Sequence, residues 1–190
     1  MKKITLHDLI YIAGFLDGDG CIMAQLITRP DYKLGFQIRL TVQFTQSSKR
    51  EIYLQKLKDI LGIGYIRNRN RVNIGASPQL GGLTNRLTSD GSNYQTNGLI
   101  NPVCDYIITE PKNVYMFLKE IQPYLRMKQK QANLVLTIIE QLPLAKDSPS
   151  KFIELAHMVD HVASLNDSKN RKVTATHVEA ILKCKFPKEE

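Results

Sequence analysis

Ile12-Ala13-Gly14-Phe15-Leu16-Asp17-Gly18-Asp19-Gly20 is the stretch that decides how this chain folds. It begins as an apolar helix carrying small residues and ends in two acids separated by glycine. Ile12, Phe15 and Leu16 are ordinary core-facing types. Gly14 and Gly18 are not, because glycine inside a helix costs about 1 kcal/mol relative to alanine. Their four-residue spacing puts both on one helical face, where they permit two backbones to approach closely. A tight helix–helix contact is the arrangement that offsets this cost. It also sets a carboxylate at the end the two helices share.

Helical spacing runs over residues 7–18 and is broken at Gly20. Residues 21–26 then alternate with a period of two, which predicts a strand. Arg29-Pro30-Asp31 reads as a turn. In the next segment Leu34, Phe36, Ile38, Leu40, Val42 and Phe44 share one face, and Gln37, Arg39, Thr41, Gln43 and Thr45 share the other. Such a strand belongs to a sheet covered on one side only. Residues 48–61 return to helical spacing, with Ile52, Leu57, Ile60 and Leu61 as the expected buried stripe, and Gly62 and Gly64 end it. Residues 65–69 and 105–108 read as a third and a fourth strand. Between them, over about 70–103, lies a long segment rich in glycine, serine and asparagine. Residues 111–125 and 128–142 read as helices parted at Pro123. Ser148-Pro149-Ser150 opens another helix that runs to Leu165. A last short helix is expected from Thr176, with Glu179 at the capping-box spacing.

The expected fold class is therefore α+β: helix, two strands, helix, two strands, helix, with additional C-terminal helices on a single domain over 1–190. The acidic motif occurs once. A helix built to pack against its own twin then needs a second chain.

The chain has 190 residues, 43% of them hydrophobic and 23% charged, a composition normal for a globular domain. No apolar run approaches the ~20 residues of a membrane span. The N-terminus is too short and interrupted for a secretory signal and lacks the bias of a transit peptide. The protein is therefore expected to act in the compartment where it is made. A formal net charge of +8 suits a polyanionic partner. Cys21, Cys104 and Cys184 are far apart with no CxxC pair, so all three are read as reduced thiols.

Asp19 is the leading metal ligand, since hard divalent cations such as Mg²⁺ take oxygen donors and keep several waters. Metals of this kind activate water and stabilise the leaving oxygen in phosphodiester hydrolysis. Asp17 is the alternative ligand, and its structural reading is a hydrogen bond to neighbouring backbone. Two antiparallel strand pairs make a ribbon of the right width for a major groove. On the polar strand face Gln25, Arg29, Gln37, Arg39, Gln43, Arg67 and Arg69 carry the groups that read bases: arginine grips guanine with two hydrogen bonds, and glutamine does the same for adenine. Arg39 also reads as a phosphate contact that adds affinity without specificity. His157, Asp160 and His161 share a helix, but the acid is misplaced for an HExxH zinc site. They are read as structural.

The nonamer resembles the LAGLIDADG signature of homing endonucleases. Ile12, Ala13, Gly14, Asp17, Asp19 and Gly20 match it, and Phe15, Leu16 and Gly18 are mild variants. The string Arg126-Met127-Lys128-Gln129-Lys130-Gln131-Ala132-Asn133-Leu134-Val135-Leu136 is similar to the chloroplast-intron branch of single-motif members nearly letter for letter. The resemblance implies an αββαββα fold whose sheets form a saddle over DNA. It implies a homodimer joined through the motif helix, a divalent metal (Mg²⁺ or another such as Mn²⁺) held by Asp19 and the main-chain carbonyl of Gly18, and Gln46, Arg50 and Lys128 around the cleaved phosphate. It implies DNA contacts at Gln25, Tyr32, Gln37, Gln43, Arg67 and Arg69, although Tyr32 also reads as a cap on the hairpin core. The activity implied is a site-specific double-strand DNA endonuclease that cuts a long pseudo-palindromic target, leaves short 3′ overhangs and spreads an intron. The implied setting is an organelle, the chloroplast, or otherwise the cytoplasm of a prokaryote. Two competing functions sit on the same scaffold: an RNA maturase assisting intron splicing, and a non-catalytic DNA-binding regulator. The 70–103 segment departs from this branch. It reads either as an extension of the DNA contact through Arg71, Thr84 and Arg86, or as a tolerated surface insertion.

Overall fold

A computed structural model of the chain describes residues 4–69, 102–166 and 171–186. Residues 70–101 of the expected insertion, with Arg71, Thr84 and Arg86, lie outside the described residues. Helix α1 spans Leu6–Asp19. Its start is fixed by a capping box in which Thr5 Oγ1 accepts from the Asp8 backbone N–H (3.2 Å) and the Thr5 backbone N–H donates to Asp8 Oδ2 (3.0 Å). Its end is set by Gly20. A Cβ there would lie 2.4 Å from Leu16 Cδ1 and 2.8 Å from Leu16 backbone, so only glycine lets the chain turn straight from helix into strand.

Strand β1 (Gly20–Thr28) pairs antiparallel with β2 (Phe36–Ser47) from Gly20 opposite Phe44 to Thr28 opposite Phe36. The turn between them closes through Gly35, at φ +78°, whose carbonyl accepts from the Arg29 N–H at 2.8 Å. The alternation expected of β2 holds: Phe36, Ile38, Leu40, Val42 and Phe44 are buried on the helix side, and Leu34, just before the strand, is buried as well. After a 3-10 turn at Ser48–Arg50, helix α2 runs over Glu51–Leu61 and stops at Gly62 in the left-handed region. Its buried stripe is Leu54, Leu57 and Leu61. Ile52, expected inside, is 58% exposed. Two residues are about 200° of helical rotation, so once Leu54 faces the sheet Ile52 cannot.

Strand β3 (Tyr65–Arg69) and strand β4 (Val103–Ile108) complete one antiparallel sheet in the order β1-β2-β4-β3. The two expected strand pairs are thus fused: β4 lies beside β2, with Thr45 opposite Asp105, and β3 takes the edge. Helix α3 covers Pro111–Ile121 and gives way to a 3-10 turn at Gln122–Tyr124, four residues before the expected end. Helix α4 (Gln129–Ala145) continues through Pro143 instead of ending at Leu142. A proline so near the end removes one backbone bond from the last turn only. Helix α5 (Pro149–Leu165) is capped by Ser148, as the sequence indicates. Helix α6 (Ala175–Lys185) is capped by Thr174, not Thr176, and Glu179 turns instead to Lys183 and His157.

The buried side chains of the sheet and of all six helices form one cluster. The helices lie on the apolar side of the sheet, and the polar side carries the glutamines and arginines. His157, Asp160 and His161 diverge. His157 lies 3.5 Å from Glu179, while Asp160 accepts from the Ala175 N–H at the start of α6 and pairs with Arg171.

Candidate metal site and nucleic-acid interface

The last turn of α1 and the end of β2 bring three of the four expected catalytic side chains together. Gln46 Nε2 donates to Asp19 Oδ2 at 2.6 Å, and Arg50 Nη1 lies 3.5 Å from Gln46 Oε1. Lys128 is held at the same end of α1, because the carboxylate of Asp17 clasps the segment that carries it. Asp17 Oδ2 accepts the backbone N–H groups of Arg126 (2.7 Å) and Met127 (3.2 Å), and Oδ1 accepts that of Lys128 (2.9 Å). In return the Lys128 ammonium donates to the Asp17 main-chain carbonyl. Burial alone would raise the Asp17 carboxyl. The three N–H groups and the nearby Lys128 charge outweigh it and hold the group below the usual carboxylate range. Both oxygens of Asp17 are thus occupied by backbone, which leaves it the structural role rather than that of a ligand.

Asp19 differs. It is exposed, and among the described residues Gln46 is the group that donates to it. Its carboxylate, with the carbonyl of adjacent Gly18, offers the hard oxygen donors that Mg²⁺ or Mn²⁺ takes, and the exposure leaves room for the waters such an ion retains. The donor set fits the ion, and among the described residues Asp19 is not part of any group of three or more metal-ligating side chains.

The outer face of α1 is open. His7, Ile10, Tyr11, Gly14 and Gly18 are exposed along it, Ile10 by 52% and Tyr11 by 63%. A Cβ built on Gly14 or Gly18 meets nothing within 4 Å. The close contact these glycines permit is therefore not made among the described residues.

The polar sheet face collects the expected DNA-reading residues in rows. Gln25 sits opposite Arg39 and Ile27 opposite Gln37 on β1 and β2, while β3 and β4 set Arg67 opposite Asp105 and Arg69 opposite Val103. At the hairpin end Arg29 donates through Nε and Nη2 to Asp31 (2.9 and 2.7 Å) and through Nη1 to Gln37 Oε1 (3.1 Å). Its guanidinium lies 5.0 Å from the centre of the Tyr32 ring, so Tyr32, which is exposed, packs on Arg29 and does not cap the core. At the other end stands a residue that sequence reasoning missed. Asp105 is 0% exposed, and four side chains donate to it: Gln43 Nε2 (3.0 Å), Thr45 Oγ1 (2.7 Å), Arg67 Nη2 (3.0 Å) and Arg69 Nη2 (2.7 Å), with Arg69 Nε in ion-pair contact. Burial pushes its carboxyl up, but donation from Arg69, Thr45 and Arg67 prevails and holds it low. The signal available in the sequence was a lone acid within the apolar run Val103–Ile108. Asn166 was missed as well; its amide donates to the Ile22 carbonyl at 2.7 Å.

Comparison with known proteins agrees with this geometry. The family model for LAGLIDADG endonucleases matches residues 12–121. The chain is 44% identical over 180 residues to the DNA endonuclease I-CreI of Chlamydomonas reinhardtii, covering 95% of this chain and 91% of that one. It is 34% identical over 186 residues to the DNA endonuclease I-CvuI of Chlorella vulgaris, covering 96% of each. The crystal structure of I-CvuI in complex with its target in the presence of 2 mM Ca matches with a TM-score of 0.73 at 31% identity, over 94% of both chains. An archaeal intron-encoded endonuclease, I-Vdi141I, complexed with DNA, shares the fold at a TM-score of 0.68 and 18% identity, over 94% of this chain and 96% of that one. This chain belongs to the LAGLIDADG endonuclease family.

Proposed function

We propose that the protein is a homodimeric, site-specific DNA endonuclease that cuts both strands of a long, roughly palindromic duplex and leaves short 3′ overhangs. The observation that carries this reading is the chain Asp19–Gln46–Arg50, with Lys128 clasped beside it, at the foot of a polar sheet face. The relatives named DNA endonucleases, one of them solved on its target DNA, support it. Two copies meeting through the glycine face of α1 bring two Asp19 carboxylates together over the backbone to be cut. Protein twofold symmetry asks for matching half-sites.

A divalent cation held by Asp19 and the Gly18 carbonyl supplies charge stabilisation and an activated water. The side chains of this chain do the rest. Gln46 orients the Asp19 carboxylate and is itself steadied by Arg50. The Arg50 and Lys128 cations face the charge that develops on the phosphate oxygens. Gln25, Arg29, Tyr32, Gln37, Arg39, Gln43, Arg67 and Arg69 contact the duplex. The role this supports is the spread of an intron by cleavage of intronless alleles, in an organelle such as the chloroplast.

The test is a plasmid carrying the intronless form of the sequence that flanks the reading frame, incubated with the protein and Mg²⁺. Linear product is expected from the wild type. Asp19→Asn should bind the same DNA without cutting it. Cleavage retained by Asp19→Asn would overturn the assignment of the reacting centre. Binding of intron RNA with no cleavage of DNA by the wild type would overturn the activity.

A further inference from the structure

The glutamines of the polar face are not equivalent, and elementary hydrogen-bond chemistry fixes how. A carboxylate only accepts, and a guanidinium only donates. Gln43 lies against Asp105, so its amide nitrogen turns inward and spends both hydrogens, on Asp105 Oδ1 and on Thr45 Oγ1, at 3.0 Å each. What remains for a ligand is its carbonyl oxygen. Gln37 lies against Arg29, so its carbonyl oxygen turns inward and its NH₂ remains. With both amide hydrogens committed, Gln43 cannot form the two-bond contact with adenine that its sequence position suggests.

We propose that Asp105 is a specificity-determining positioning residue: buried beneath the reading face, it makes Gln43 a pure acceptor and holds Arg67 and Arg69 beside it. This deepens the DNA-reading proposal above and rests on it. An acceptor-only head matches the amino groups of adenine and cytosine in the major groove and rejects the keto oxygens of guanine and thymine. At its pair Gln43 therefore sorts nucleotides by amino against keto, not by purine against pyrimidine or by A·T against G·C. Gln37, with the opposite polarity, is a built-in control. Arg69 is held by donation from its Nη2 to Asp105, with its Nε in ion-pair contact with the same carboxylate.

The experiment is selection of bound duplexes from a randomised DNA library in the presence of Ca²⁺, with the sequences of the retained pool read out. Gln43→Ala marks the pair in each half-site that this residue reads. In wild type that pair is expected to divide A and C from G and T on one strand. In Asp105→Asn the new amide donates to Gln43, which turns over and presents its NH₂. The amino-to-keto preference at that pair should fall by about tenfold or invert, roughly the weight of one good base contact. The pair read by Gln37 should not change. Adding Gln43→Glu to Asp105→Asn restores an outward acceptor opposite an inward donor, and should restore the amino class.

An unchanged partition in folded Asp105→Asn would overturn the inference while leaving the DNA-reading proposal intact. So would a wild-type preference at that pair of the purine–pyrimidine kind. If the wild type enriches no sequence, both fall together. Should Asp105→Asn fail to fold, Gln43→Glu alone decides: a head that can only accept keeps the amino class if Gln43 reads by accepting, and loses it if Gln43 reads by donating.

Discussion

Asp17→Asn is the perturbation for which the structure gives the clearest magnitude. The carboxylate is 9% exposed and accepts three backbone N–H groups, two on Oδ2 and one on Oδ1. Asparagine keeps the shape but replaces one acceptor with NH₂. Whichever way the amide turns, at least one N–H faces another N–H. A buried donor left unsatisfied costs ~1–3 kcal/mol, and the surviving bonds, now neutral, lose about half the strength of charge-assisted ones. Together these come to about 3–5 kcal/mol. For a chain of this size 1 kcal/mol moves the midpoint by ~2–4 °C, so the variant should melt about 10 °C lower, at equal protomer concentration. The pH dependence is a second check. The folded carboxyl is held below its ordinary value, so its contribution is complete above the unfolded pKa of about 3.9 and is lost as pH falls through the lower folded value. The gap between wild type and variant should therefore be constant at neutral pH and close only in acid, well below pH 4. Thermal unfolding by circular dichroism from pH 7 to pH 2 measures both. A variant that melts within about 1 °C of wild type, or a gap that closes near pH 6, would refute the clasp.

Gly14→Ala tests the helix face. Alanine meets nothing within 4 Å among the described residues and gains helix propensity, so an isolated subunit should become more stable by about 1 kcal/mol. In a dimer packed through that face the added methyl should instead weaken association by about tenfold or more, ~1.4 kcal/mol, in sedimentation equilibrium. Unchanged self-association would remove α1 from the interface. Gly64→Ala tests the sheet edge. At φ +74°, with a Cβ 2.5 Å from the Ile107 carbonyl oxygen, it should destabilise by at least ~2 kcal/mol in urea unfolding. A smaller loss would mean that β3 and β4 yield there.

Sequence alone determined the features with a local period. The alternation of β2, the glycine spacing of α1, the Ser148-Pro149 helix start and the pairing of one acidic motif with a basic chain all follow from neighbours a few residues apart, where propensity and steric restriction act. The motif also singled out Asp19 as the candidate ligand, because glycine before and after an acid at a helix end is a local pattern. Tertiary structure alone decided the rest. Asp17 and the 126–128 segment, some 110 residues apart, meet only when α1 packs against α3 and the 3-10 turn that follows it. No periodicity encodes that meeting, so the sequence offered a structural reading of Asp17 without showing which backbone it holds. Asp105 is a plain strand acid until β4 is inserted beside β2 and the arginines of β3 fold over it. The orientation of each glutamine follows from its cross-strand neighbours, and register between strands distant in sequence is set by packing of the whole sheet. Short-range interactions write the elements. The partners of a buried charge are long-range, and only the closed core selects them.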